Sequence, residues 1–108
     1  MSFTDIAKRF GDASPGTDTF KAFYKDAFQL MKTDVDNAGL YFIVGIVAQS
    51  FVRNYEDQGL TPEFVNAAKA ILVGYNAKVC QALVSEPAER LRLIGEVACD
   101  YEWNVHDF

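Results

Sequence analysis

The run Leu40-Tyr41-Phe42-Ile43-Val44-Gly45-Ile46-Val47 constrains this chain more than any other part of it, because it carries no charge and has no polar face. Whatever it forms must be covered on every side. Its β-branched and aromatic residues would suit a strand. The apolar pattern continues, however, through Phe51, Val52 and Tyr55 at helical spacing, a length that strands seldom reach. The segment reads as a central helix over residues 35–58, with Asp34 or Asp36 as the cap and Gly59 as the stop. Gly39, Gly45 and Ala48 would let another helix approach closely. In a chain of 108 residues, a homodimer that shields this helix is the simplest expectation. The uncharged run 38–52 falls short of the about 20 residues that cross a bilayer, so no membrane association is expected.

The flanking patterns are helical as well. Phe3, Ile6, Ala7 and Phe10 share one face of a short helix over 3–10, capped by Ser2 and stopped by Gly11. Phe20, Phe23, Tyr24, Ala27, Phe28 and Met31 form the apolar stripe of a second helix over 18–32, with Thr17 as its cap. A fourth helix spans 62–84, with Thr61 as cap and Pro62 in its first turn. Its inner face is Phe64, Ala68, Ile71, Leu72, Tyr75, Val79 and Leu83. A fifth spans 87–101, facing inward with Leu91, Ile94, Val97, Ala98 and Tyr101. The link at Ser85 and Glu86 makes the fourth and fifth helices antiparallel neighbours. The fold class is therefore all-α: one domain over 1–108, a compact bundle of four longer helices with a short N-terminal helix.

Net charge is −5, which argues against nucleic-acid partners, since those need clustered Lys and Arg. No basic-then-apolar leader is visible in residues 1–10, and a cytoplasmic location is expected. Cys80 and Cys99 fit neither a CxxC motif nor a zinc set, and read as small core residues not bonded to each other. Asp34, Asp36 and Gly39 imitate the start of a calcium loop, but Ala38 and Gly45 stand where ligands are needed. His106 is the only histidine. No phosphate loop, dinucleotide fingerprint or nucleophile elbow is present, so no metal, cofactor or enzymatic activity is expected.

Charge distribution points to protein recognition. Residues 93–108 carry four acids and no Lys or Arg, whereas residues 1–92 are nearly balanced. Acids interleaved with aromatics suit a surface for a basic protein, here Glu96, Asp100, Glu102, Trp103, Asp107 and Phe108. Trp103 is either the anchor of that surface or a ring that folds back to close the core. A second candidate surface is Gln49, Arg53 and Asp57, at i, i+4 and i+8 on the third helix. The expected function is a small protein-binding module, an inhibitor of the immunity type or a regulatory adaptor. The alternative is a small-molecule pocket between the second and third helices, lined by Phe23, Tyr24, Phe28, Tyr41 and Phe42, with or without catalysis.

Overall fold

The first helix opens on a reciprocal cap. The Asp5 amide donates to Ser2 Oγ and the Ser2 amide donates to the Asp5 carboxylate, each at 3.2 Å. In the computed structural model, which describes residues 1–106 and 108, this helix is α1 (Phe3–Asp12). It is followed by α2 (Thr17–Thr33), a 3-10 turn at Val35–Asn37, α3 (Ala38–Tyr55), α4 (Pro62–Leu83) and α5 (Pro87–Asn104). Among the described residues there is no strand, and the molecule is an all-α bundle with the short α1 packed on it.

Local sequence explains most of the boundaries. Thr61 Oγ1 accepts from the Phe64 amide at 3.2 Å, with Pro62 in the first turn, so α4 starts where expected. Other ends differ from the sequence reading. Gly11 does not stop α1, which runs on to Asp12. Gly16, not Thr17, stands at the N-cap of α2. Neither Asp34 nor Asp36 caps α3 with its side chain. Asp34 accepts instead from Tyr41 Oη at 2.6 Å and Asn37 Nδ2 at 3.0 Å, and the chain enters α3 through the 3-10 turn. Helix α5 continues three residues beyond the expected end, to Asn104.

Phe20 stacks on Phe51 with ring centres 4.2 Å apart, and Phe10 meets Phe20 edge-on at 5.0 Å. Phe3 stacks on Tyr41 at 5.7 Å, which carries α1 onto α3. Val35–Tyr55, at 21 residues and a mean hydropathy of 1.4, passes by length and composition as long and apolar enough to cross a membrane. That is longer than the uncharged run suggested. Its apolar residues are used inside the bundle: of residues 40–47 only Phe42 is exposed, at 48%. Ile43 and Ile46 stay half-buried, so the single chain covers most but not all of this segment.

Helices α4 and α5 are antiparallel neighbours. Arg90 Nε donates to the Ala82 carbonyl at 3.1 Å, Lys78 pairs with Glu96 at 3.2 Å, and Tyr75 Oη donates to Asp100 at 2.6 Å. The partners step backward along α4 as they step forward along α5. Cys80 and Cys99 are both free thiols. Cys99 is exposed, which corrects its reading as a core residue.

Candidate functional site

The outward face of α5 differs from the sequence reading by a rotation of the helix. Leu93 and Val97 are the residues of α5 that are fully buried, with Ile94 and Tyr101 half-buried. Leu91, expected inside, is 72% exposed, and Ala98 is exposed too. The rotation follows from the inner polar ties: Arg90 on the Ala82 and Ser85 carbonyls, and Asp100 on Tyr75, must also face α4. Leu91, Ala98 and Glu102 then share one outward stripe, with Cys99 and Trp103 beside it at i, i+4.

The six residues expected to form an acidic–aromatic patch separate into different roles. Trp103 lies on α5 and is 73% exposed, so the ring does not close the core. Glu102 is exposed beside it. Phe108 closes the core instead: its ring is 5.2 Å from Phe51, 6.2 Å from Tyr101 and 6.4 Å from Phe20. That corrects its placement on the recognition surface. Val105, half-buried, ends α5 in extended backbone. Asp107 lies outside the described residues.

Two of the acids are engaged. Asp100 accepts from Tyr75 Oη and, at 2.9 Å, from Asn104 Nδ2. The Tyr75 bond, reinforced by Asn104, holds its carboxyl below the usual carboxylate range. Burial, and then the bond to Asp100, pushes the Tyr75 phenol up. Glu96 accepts from Lys78 and from Arg92, which also pairs with Glu89. The hydrogen bond to Glu89 leads in raising the Arg92 guanidinium. Glu102 is the acid of this face with no hydrogen bond or ion pair among the described residues. The effective charge of the surface is thus less concentrated than the sequence implies.

The second candidate surface is not one line. Gln49 is half-buried, Arg53 is exposed on α3, and Asp57 lies beyond the helix end at Tyr55, so the i, i+8 relation is broken. Neither Arg53 nor Asp57 forms an ion pair among the described residues. The neighbouring Glu56 pairs with Lys21 of α2 at 2.6 Å.

The expected aromatic pocket is filled. Helices α2 and α3 meet closely at Gly45, where an added Cβ would lie 2.3 Å from Phe28 Cε1. Phe28 occupies the space that a side chain at 45 would otherwise take, with Tyr24 and Phe42 rings 5.7 and 6.3 Å from it. Phe23 and Tyr41 face another way, toward Phe3. Tyr24, Phe28 and Phe42 thus neighbour one another while Phe23 and Tyr41 belong to the core around Phe3, and the five side chains do not converge on one space. Surface depressions open elsewhere. One of about 280 Å³ opens between the 3-10 turn and the start of α5, lined by Asn37, Leu40, Arg90, Leu91 and Ile94. Arg90 Nη1 donates to Asn37 Oδ1 across its floor at 2.8 Å. Among the described residues, no three His, Cys, Asp or Glu side chains converge to hold a metal ion.

Asn76 is a residue that periodicity alone did not single out. It is 3% exposed in the middle of α4, and neither its Oδ1 nor its Nδ2 has a hydrogen-bond partner among the described residues. Leaving such an amide uncompensated costs about 1–3 kcal/mol. Its signal in the sequence was an Asn one turn from both Leu72 and Val79 on an apolar face.

The chain matches no protein-family model, no curated protein and no solved structure.

Proposed function

We propose that this chain is a small, non-enzymatic, cytoplasmic protein-binding module of the inhibitor or regulatory-adaptor kind, acting through the outward face of α5 on a partner with a basic surface. The observation that carries this reading is the position of Trp103. A large amphipathic ring held on a regular helix at 73% exposure contributes little to the core, and Trp is the residue most enriched at binding hot spots. Leu91 extends the apolar surface along the same helix, and Glu102 supplies charge that steers a basic partner. The filled α2–α3 seam counts against the small-molecule alternative.

The test compares two baits in the native cell, the wild-type chain and Trp103→Ala, after showing that their melting temperatures agree. A basic protein retained by the first and lost from the second supports the reading. Equal retention of every partner by both baits would overturn it. Glu102→Gln should slow association with that partner, with the difference shrinking as salt is raised.

A further inference from the structure

The outward face of α3 carries a seam that the chain itself does not close. Gly39, Phe42, Ile46, Gln49 and Arg53 follow one another at steps of three, four, three and four, and Val35 in the 3-10 turn stands four residues ahead of Gly39. That is the spacing along which two helices pack in a coiled coil. The described residues leave it largely uncovered: Val35 is 73% exposed and Phe42 48%, Gly39 and Arg53 are exposed, and Ile46 and Gln49 are half-buried. The Phe28 ring of α2 lies 6.3 Å from Phe42 and widens the apolar surface. A helix face in water ordinarily carries charges, and from Asn37 to Val52 this one has none. Charge stands only at its two ends. Asp36 is exposed at the start and Arg53 is exposed in the last turn of α3, and neither forms an ion pair or a side-chain hydrogen bond among the described residues. Helical rise sets them about 25 Å apart, so they cannot meet within one chain.

We propose that α3 pairs with α3 of a second copy of this chain, antiparallel, about a two-fold axis at the level of Val44. The seam positions are symmetric about that residue: Phe42 and Ile46, Gly39 and Gln49, Val35 and Arg53 are each equidistant from it. An antiparallel pair centred there sets Phe42 level with the partner's Ile46, and Gly39, which has no side chain, opposite the long side chain of the partner's Gln49. It also sets Arg53 level with the partner's Val35 and about 1.5 Å along the axis from the partner's Asp36. Two-fold symmetry makes each of these contacts twice, so both ends of the seam close on an acid and a base. This self-complementarity is what selects a second copy as the occupant: opposite charges that one chain holds apart are joined by two. Parallel pairing would set Arg53 against Arg53 and Asp36 against Asp36. The surface lies on a different helix from Trp103 and does not rest on the role of that residue.

Sedimentation equilibrium of the full chain tests this. The wild type should show the mass of two chains at high micromolar concentration and dissociate on dilution. Asp36→Arg and Arg53→Asp should each weaken the dimer at least tenfold, because each sets like charges together at both ends. Mixed in equal amounts, these two variants should associate again, since in the mixed pair each end joins an acid to a base. Phe42→Asp should weaken the dimer at least tenfold as well. Both charge sites are exposed, so circular dichroism and melting of the dilute charge variants should match those of the dilute wild type. The wild-type mass needs no variant, so a variant that misfolds leaves the test standing. Monomer mass at every concentration would overturn the proposal and leave this face to an unlike partner. A dimer that persists in all three variants would overturn it by placing the contact elsewhere. Charge variants that stay monomeric when mixed would overturn the antiparallel register on which it depends.

Discussion

Tyr75 Oη donates a 2.6 Å hydrogen bond to Asp100 Oδ2, so this acid of α5 is committed to the fold. A matching bond of 2.6 Å joins Tyr41 Oη to Asp34 Oδ2 at the α2–α3 turn. Each pairs a buried tyrosine with a half-buried carboxylate. One ties α4 to α5 and the other braces the entry to α3. Asp34 is linked onward through Asn37 to Arg90, and so to the α4–α5 turn.

Asp100→Asn and Tyr75→Phe should each lower stability by about 1.5–3 kcal/mol, the range for hydrogen bonds to charged groups. Both changes act on the same bond, Tyr75→Phe by removing its donor and Asp100→Asn by removing the acceptor's charge, so the double variant should cost less than the two together. Urea denaturation with an unchanged m-value measures this. Stability unaffected by either change would show that the bond contributes nothing net.

The same pairs set limits in pH. The tyrosine bonds hold Asp34 and Asp100 below the ordinary value of 3.8. The unfolded chain then binds more protons than the native one at acid pH, so their contribution is present above that value and is lost as pH falls through the folded pKa. Burial, followed by the aspartate bonds, raises Tyr41 and Tyr75 above 10.0. Their contribution is complete below that value and is lost as pH rises above it, where the unfolded phenols ionise first. Stability followed by urea unfolding should be flat between these limits and fall on both sides. The Tyr41→Phe, Tyr75→Phe double variant should lose much of the alkaline fall and flatten the acid one.

Gly45→Ala should destabilise the chain by about 1–3 kcal/mol through overpacking against Phe28, although Ala is the better helix former. In a Phe28→Ala background the same change should turn neutral or stabilising by up to about 1 kcal/mol, since the clash is gone and only helix propensity remains. A double-mutant cycle in thermal unfolding measures the coupling. Equal effects in both backgrounds would mean that Phe28 moves aside freely.

The two C-terminal aromatics should behave oppositely. Trp103→Ala should change stability by no more than about 0.5 kcal/mol, as an exposed substitution does. Phe108→Ala should cost about 1.5–3 kcal/mol, because its ring packs on Phe51 and Phe20. Chemical denaturation of the two variants decides between this assignment and its reverse.

Periodicity and local chemistry were enough for the helices themselves. The stripe from Phe20 to Met31, the Thr61-Pro62 start and the short link at Ser85 are interactions within a few residues, and a chain carries those wherever it is read. Which side of a helix turns inward is settled by partners far away in sequence. Leu91 looked like a core residue and is exposed, because Arg90 and Asp100 reach for groups on α4 and fix the rotation of α5. Phe108 rather than Trp103 closes the core, because α5 runs on to Asn104 and only the residues after it can turn back. The close approach of α2 and α3 was hidden for a like reason: a glycine and a phenylalanine on different helices fit together, and the spacing along either helix does not encode that fit. Asn76 was visible as a polar residue on an apolar face. Its isolation became apparent only in the folded chain, since hydrogen-bond satisfaction belongs to a pair of surfaces and not to a sequence.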